Sequence, residues 1–290
     1  MSKLLILGAS SSVGRHLHRR LGPDKAIGTY RSHPVDDGRR FDSTTMRLAE
    51  VVGRGEASHA AVLLAEPHPD ACVRDPEGTR RLNVVAMKQL CQDLWDLGVT
   101  PIFASTEFVF DGAKGNYVET DAADPILLYG HQKKEVEDFL IASGQPHAIL
   151  RFAKIYGDQA GDGTLFTSWV AQALSGVRFM RCAADQAFSP VFVGDVGEAI
   201  LRVAQGGLTG LYHLSGNRRL TRLELLELTL AAVRRYRSVE VGIEPCSIDD
   251  FDLPERRPKD VSMRADKLAA AAGMAFHDIE ACVAAIVKQA

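Results

Sequence analysis

The sequence lacks the features that define several common protein classes. Its 290 residues include five cysteines, an odd number with no C-x-x-C pair, so neither a disulfide scaffold nor a zinc knuckle is indicated. No apolar run reaches the roughly 18 residues that a membrane span needs, and no charged leader with a cleavage site precedes the first strand-like run. The formal net charge of −3 offers no basic surface for nucleic acid or an anionic membrane. We therefore expect a cytoplasmic protein without a nucleic-acid or membrane partner, and the nine histidines show no ligand spacing that would predict a metal.

What is present is an ordinary globular composition, with 46% apolar and 24% charged residues. The first half of the chain alternates short apolar runs with segments of helical length. The apolar runs are Lys3–Leu7, Lys25–Tyr30, Ala60–Ala65, Ile102–Ser105 and Ala148–Phe152. Continuous apolar runs separated by helices are typical of a parallel sheet covered on both faces. This pattern predicts an α/β fold with a Rossmann-like, doubly wound parallel sheet.

The second half is less regular, and its composition suits a smaller lobe beside the main domain. We predict a dinucleotide-binding Rossmann domain over residues 1–155, with a returning segment at about 188–205. Residues 156–187 and 206–290 would form a smaller C-terminal α+β lobe that binds substrate. The segment Gly157–Gly163 is turn-rich, and the spacing of Thr221 and Glu224 predicts a capping box that opens a helix.

A glycine-containing loop, GASSSVG, follows the first strand and opens the first helix. In that position a helix N-terminus offers free N–H groups and a positive dipole end to a pyrophosphate. The spacing is G-x-x-S-x-x-G, with a small serine whose hydroxyl can donate to a phosphate in place of the middle glycine. A tight strand-to-helix turn without a ligand is the alternative. The loop residues that we predict to bind the cofactor are Gly8, Ser10, Ser11, Ser12, Val13 and Gly14.

The end of the second strand indicates which dinucleotide the loop would take. Folds selective for NAD usually place an acid there to hold the ribose diol. This sequence has Arg31, followed by Ser32, and a guanidinium pairs well with a 2′-phosphate. Arg31 therefore favours NADP(H) as the cofactor. NAD(H) is kept as the alternative cofactor. A solvated surface arginine is the alternative interpretation.

A tyrosine and a lysine four residues apart, Tyr129 and Lys133, carry the strongest chemical signal. Residues at this spacing share one helix face, and a nearby cation is expected to lower the pKa of the phenol. Such a tyrosine can give a proton to a carbonyl oxygen as hydride arrives. Thr106 ends the fifth strand, where it would face the ligand crevice and bind the reacting carbonyl. A threonine that only caps the following turn is the alternative.

These residues and their surroundings resemble the extended short-chain dehydrogenase/reductase superfamily. Within it, STEFVFDG and YGHQK are most similar to the dTDP-4-dehydrorhamnose reductase-like, or sugar-nucleotide-binding, family. Further similar segments are Leu150–Gly157 (LRFAKIYG), Asp185-Gln186, Ser189-Pro190, Gly210–Leu214 (GLYHL) and Arg257-Pro258. The resemblance extends over essentially the whole chain.

The resemblance implies an NADP(H)-dependent reductase of a 4-keto nucleotide sugar and leaves a homodimer open. It makes Tyr129 the proton donor, Lys133 the group that holds the nicotinamide ribose and tunes Tyr129, and Thr106 the ligand of the C4 carbonyl. The cofactor side would add Asp42, Leu64, Ala65, Glu66 and Ser105, and the substrate side would comprise Thr106, Glu107, Phe108, Ala153 and Lys154. Asn83 would support a proton relay or be a structural helix asparagine.

The departures from the family pattern keep two other functions open. Glu107, Phe108 and Lys154 stand where the family usually has Asp, Tyr and Trp, so the substrate side is changed more than the catalytic side. A non-catalytic binder fits that pattern, as in the regulatory subunit of methionine adenosyltransferase, which belongs to the same superfamily. An epimerase with a retained cofactor would use the same tyrosine and lysine. A 4,6-dehydratase would need a second acid directly after Glu107, where Phe108 stands.

Overall fold

A seven-stranded sheet forms the centre of the computed structural model, which describes residues 3–157 and 164–289. The strands are β1 (Lys3–Leu7), β2 (Ala26–Tyr30), β3 (Arg39–Arg40), β4 (Ala57–Val62), β5 (Thr100–Thr106), β6 (Ala148–Phe152) and, later in the chain, β11 (Gly210–Leu214). Their order is β11-β6-β5-β4-β1-β2-β3, and every neighbouring pair is parallel. The order β3-β2-β1-β4-β5-β6 is that of a doubly wound Rossmann sheet. The predicted fold class is therefore confirmed.

Helices cover both faces of this sheet, which explains why its strands are apolar on both sides. The helices of the larger domain are α1 (Ser12–Lys25), α2 (Pro69–Arg74), α3 (Pro76–Arg80), α4 (Met87–Asp96), α5 (Leu128–Ser143), α7 (Val193–Gly206) and α9 (Asp266–Ala272). The core on one face includes Leu17 and Ile200, and that on the other includes Leu94 and Leu140. A π-helical turn, Arg81–Ala86, joins α3 to α4.

A smaller lobe packs around three further helices. They are α6 (Leu165–Leu174), α8 (Arg222–Tyr236) and α10 (Ile279–Gln289), and their core includes Phe166, Leu226 and Val283. The strand pairs are β7 (Ile155–Tyr156) with β10 (Val191–Phe192), β8 (Phe179–Ala183) with β13 (Gly242–Cys246), and β9 (Ala187–Phe188) with β12 (Leu220–Thr221). Thr221 and Glu224 form the predicted capping box at the start of α8.

The course of the C-terminal half differs from the prediction in two places. Residues 210–214, which we assigned to the smaller lobe, form the edge strand β11 beside β6, and α9 packs against β11 and α7. Val191–Phe192 pairs with Ile155–Tyr156 and not with the central sheet. A five-residue apolar strand carries no information about which sheet edge it joins, so sequence periodicity could not make this distinction. Of the predicted loop Gly157–Gly163, residues 158–163 lie outside the described residues.

Three chemical features of the described residues bear on function. All five cysteines are free thiols. Within residues 3–157 and 164–289, no helix is long and apolar enough to cross a membrane. The same part of the chain holds no group of three or more histidine, cysteine or acidic side chains that could bind a metal ion.

Candidate active site

The turn between β1 and α1 is built on two glycines that no larger residue could replace without movement. Gly8 has φ +94°, which favours glycine. A Cβ on Gly14 would lie 2.2 Å from the Gly8 carbonyl oxygen. Ser11 caps the helix, because its Oγ donates to that oxygen at 2.8 Å and accepts from the Gly14 N–H at 3.1 Å. The Ser11 hydroxyl proton is therefore already used in a hydrogen bond within the turn. Ser11 stabilises the loop as the cap of α1.

A cleft of about 570 Å³ opens at the carboxyl ends of the central strands. It brings together most of the residues that the sequence predicted on the cofactor and substrate sides. Those that line it are Ser11, Ser12, Val13, Ala65, Ser105, Thr106, Glu107, Phe108, Tyr129, Lys133, Ala153 and Lys154. The strand order reverses between β1 and β4, which is where open α/β sheets bind their ligands.

A second cavity of about 360 Å³ holds Arg31 and Glu66, two further predicted cofactor residues. Arg81 lines the same cavity. The sequence analysis did not predict this residue, because its position in the sequence does not show that the π-helical turn places it near the end of β2. Asp42 is hydrogen-bonded to Thr44, through Oγ1 at 2.6 Å and the backbone N–H at 2.9 Å. These bonds, together with the charge of Arg31, lower the pKa of Asp42. The remaining predicted residues, which line neither cavity, are Gly8, Ser10, Gly14, Asp42 and Leu64.

Tyr129 is almost fully buried at the start of α5, and Thr106 lines the same cleft. Burial raises the pKa of Tyr129 well above its usual value, more than the nearby Thr106 hydroxyl lowers it. The predicted lowering of this pKa is therefore wrong for the protein alone, since desolvation of the phenolate dominates. Tyr129 is consequently a protonated phenol at neutral pH, the form needed to donate a proton. Thr106 also accepts from the Phe108 N–H at 3.2 Å, so it caps the turn as well.

Lys133 lies one helical turn from Tyr129, with 2% of its surface exposed. Its Nζ donates to the Ala104 carbonyl oxygen at 2.8 Å and lies 4.6 Å from the centre of the Phe103 ring. An ammonium has three donors, so further donors can serve a ligand in the cleft. Burial lowers the pKa of Lys133 to about 8, and the charge of Glu137 opposes that effect.

Asn83 has all of its amide groups engaged by the protein. Its Oδ1 accepts from the Glu66 N–H at 2.8 Å, and its Nδ2 donates to the Glu66 carbonyl at 3.1 Å and to Gln132 Oε1 at 2.7 Å. Gln132 in turn donates to Thr79 Oγ1 at 3.1 Å. These bonds favour the structural role of Asn83 over the relay. Through Gln132 they also tie α5 to the π-helical turn.

At the end of the cleft where the predicted substrate residues lie, Glu107 is 4% exposed. Its carboxyl accepts from the Lys154 backbone N–H, and its Oε2 has no partner among the described residues. Burial raises the pKa of Glu107 to about 8, so the group is largely a neutral acid near pH 7. The Lys154 side chain is exposed to the cleft.

An adjoining pocket of about 320 Å³ shares Glu107 and Lys154 with the cleft and is strongly basic. Arg181 lies over the Phe251 ring at 5.0 Å and Arg222 over the Trp169 ring at 5.5 Å. Arg257 also lines this pocket and pairs with Asp70. Of these three arginines, only Arg257 lies in a segment that the family resemblance singled out. Arg181 and Arg222 come from separate strands and helices of the smaller lobe, whose assembly the sequence does not reveal.

The fold and site together define a class of protein. A Rossmann sheet with a threonine, a tyrosine and a lysine converging on its ligand crevice is the arrangement of an extended short-chain dehydrogenase/reductase. The chain belongs to the family described as the RmlD substrate binding domain, whose model matches residues 2–290. The predicted dTDP-4-dehydrorhamnose reductase-like family is therefore confirmed.

Relatives of this chain include both a methionine adenosyltransferase subunit and a reductase by name. Methionine adenosyltransferase 2 subunit beta of Xenopus tropicalis is 29% identical over 240 residues, covering 77% of this chain and 70% of the relative. A dTDP-4-dehydrorhamnose reductase of Sinorhizobium fredii is 27% identical over 277 residues, covering 92% and 90%. The solved structure of dTDP-4-dehydrorhamnose reductase from Bacillus anthracis in complex with NADP has a TM-score of 0.85 at 19% identity and covers 100% of both chains. That structure establishes similarity of fold.

Proposed function

We propose that the chain is an NADP(H)-dependent oxidoreductase that reduces the 4-keto group of a nucleotide sugar. The observation that carries this proposal is that Thr106, Tyr129 and Lys133 line one cleft, where Tyr129 is buried one helical turn from Lys133. Membership of the family and the similarity to a named reductase support it. The changed residues Glu107, Phe108 and Lys154 leave the identity of the sugar open.

The residues of the cleft fit a dinucleotide. At Gly14 the backbone fills the space that a side chain would need, so the N-terminus of α1 can approach a pyrophosphate closely. Ser12 and Val13, on the turn that Ser11 caps, would hold the pyrophosphate, Lys133 the nicotinamide ribose, and Arg31 with Arg81 a 2′-phosphate. When bound, a reduced nicotinamide cofactor supplies the hydride.

The protein's own groups would manage the proton and the developing charge. Thr106 would hydrogen-bond to the ketone oxygen and keep it beside the Tyr129 hydroxyl. As hydride reaches the carbonyl carbon, that oxygen becomes basic and takes the Tyr129 proton, which yields the alcohol and a phenolate. The Lys133 ammonium would stabilise the phenolate until solvent returns the proton. Tyr129 begins the reaction as a phenol, the form from which a proton can be donated.

The pocket lined by Arg181, Arg222 and Arg257 fits the diphosphate of a nucleotide sugar, because guanidinium groups bind phosphate oxygens in pairs. We expect Arg222→Gln to raise KM for the sugar nucleotide by about 10- to 100-fold, the loss of one charge-assisted bond, with NADPH affinity unchanged. Steady-state kinetics and fluorescence titration would check this. Arg218→Gln removes an exposed partner of Glu280 instead and is the control. Equal KM values for both variants would contradict the assignment.

Arg31 gives a direct test of cofactor preference. We expect Arg31→Ala to weaken NADPH binding by about 10- to 100-fold, since it removes a charge-assisted bond to the 2′-phosphate. NADH, which lacks that phosphate, should bind as it does to the wild type. Calorimetric titration of both cofactors would measure the two effects. An equal loss for NADPH and NADH would exclude Arg31 from phosphate recognition.

The function itself is tested by NADPH consumption with a panel of 4-keto nucleotide sugars. The proposal predicts turnover of at least one of them, with loss of absorbance at the NADPH wavelength matched by alcohol formation. Tight NADP(H) binding with no turnover on any member would contradict the reductase. A tightly retained NAD released only on denaturation, with interconversion of sugar epimers, would indicate an epimerase.

A second candidate is a non-catalytic regulatory subunit, favoured by the similarity to methionine adenosyltransferase 2 subunit beta. This candidate predicts a stable complex with a methionine adenosyltransferase catalytic chain and a change in that enzyme's kinetics. Size-exclusion chromatography of the mixed proteins would detect the complex. The retained Thr106, Tyr129 and Lys133 favour the reductase over this alternative.

A further inference from the structure

A buried ionic cluster lies next to Lys133 along α5. Glu137, one turn further along α5, is 1% exposed. Its carboxylate accepts from Ser105 Oγ at 2.5 Å and from Arg151 Nε and Nη2 at 3.0 and 2.7 Å. Ser105 belongs to β5 and Arg151 to β6, so the carboxylate is held by two strands of the central sheet.

The cluster pairs one cation, Arg151, with one anion, Glu137, and Lys133 lies one helical turn before Glu137 on α5. Arg151 is buried, lies 5.1 Å from the centre of the Phe110 ring, and leaves its Nη1 without a partner among the described residues. Its ion pair with Glu137 is almost entirely removed from solvent. Buried charges are costly unless they are paired. Lys133 is a second buried cation one helical turn from the Glu137 carboxylate, and the described contacts give it no carboxylate partner within ion-pair distance.

We propose that Glu137 is a positioning residue that keeps Lys133 protonated in the cleft, with Ser105 and Arg151 fixing the Glu137 carboxylate. This inference rests on the proposed function, in which Lys133 acts as an ammonium. Residues four apart share a helix face, so Glu137 is placed to act on Lys133 through their common side of α5. The sheet would thus set the charge of a residue that contacts the cofactor.

The other titratable groups facing Lys133 do not replace Glu137. Cys72 and Cys91 pack on it from α2 and α4, and burial raises the pKa of both thiols, so both are neutral near pH 7. Tyr129, on its own helix, is neutral for the same reason. Next to Arg151, burial lowers the pKa of His213 to about 3, which keeps that imidazole uncharged. In the described part of the chain, Glu137 is therefore the anion whose charge opposes the lowering of the Lys133 pKa by burial.

The test is the pH dependence of cofactor binding in Glu137→Gln. The wild-type pKa of Lys133 is about 8, so the ammonium is present below that pH and is lost above it. Removing the carboxylate lowers this pKa further. NADPH affinity, followed by its fluorescence on binding, and the alkaline limb of kcat should both shift at least about one unit towards lower pH. At pH 6 the variant should approach the wild type, which a general folding defect would not produce.

Glu135→Gln is the matched control. Glu135 lies on the same helix but pairs with Arg80 and Lys88 at the surface, so its pH profiles should equal those of the wild type. If Glu137→Gln fails to fold because Arg151 is left unpaired, Glu137→Gln with Arg151→Met removes both charges. That double variant should still shift the profiles downwards, because Glu137 and not Arg151 acts on Lys133.

Unchanged profiles in a folded Glu137 variant would overturn the inference. The reductase proposal would survive that result, because the wild type would still bind NADPH and turn over. If the wild type itself failed to bind NADPH at any pH, the proposed function would fail first. The two failures are therefore distinguishable in the same titration.

Discussion

Tyr129→Phe should lower kcat for ketone reduction by about 10²- to 10⁴-fold, the usual contribution of a positioned general acid. The substitution removes only the hydroxyl and keeps the ring that fills the buried site. NADPH affinity should change by less than about threefold, because Lys133 and the glycine turn are untouched. A fall in kcat with unchanged cofactor affinity is the signature of an interaction made in the transition state.

The measurement is single-turnover NADPH oxidation with whichever sugar nucleotide the wild type reduces. Tyr212→Phe is a suitable control, since Tyr212 is also buried but lies on the edge strand β11 outside the cleft. That variant should retain wild-type kcat. If Tyr129→Phe kept more than about a tenth of the wild-type rate, a group other than Tyr129 would be the proton donor.

The sequence predicted the strands best where apolar runs have sharp polar or glycine borders. The bounds of β1 and β6 are those predicted, Lys3–Leu7 and Ala148–Phe152. Helix α5 contains both Tyr129 and Lys133, as their spacing of four residues predicted. The position of β11 could not be predicted, because it depends on which sheet edge is open after the chain has crossed the smaller lobe.

The site was predictable to the extent that its chemistry depends on local spacing. Tyr129 and Lys133 meet because they are four apart on a helix, which the sequence states directly. Arg81, Arg181 and Arg222 reach their cavities only through contacts between distant segments, which the sequence does not state. The direction of the Tyr129 pKa shift was missed for a related reason, since burial is a property of the packed protein and it outweighs the charge of a nearby lysine.

Gly14→Ala should weaken NADPH binding by about 100-fold, equivalent to about 2.7 kcal/mol. The added Cβ would lie 2.2 Å from the Gly8 carbonyl oxygen and 2.8 Å from the Ala9 Cα. Both are backbone atoms, so the turn itself must move. The movement would pull the first N–H groups of α1 away from the pyrophosphate position and disturb the Ser11 cap.

Helix propensity alone predicts the opposite result, because alanine is favoured over glycine in a helix by up to about 1 kcal/mol. A loss of NADPH affinity in Gly14→Ala would therefore show that the close backbone approach at Gly14 matters more than the helix preference of alanine. Gly206→Ala provides the comparison, since a Cβ at that end of α7 meets only the Leu208 side chain, at 3.4 Å. It should leave NADPH affinity unchanged. If Gly14→Ala bound NADPH as tightly as Gly206→Ala in a calorimetric titration, the turn would be shown not to hold the cofactor.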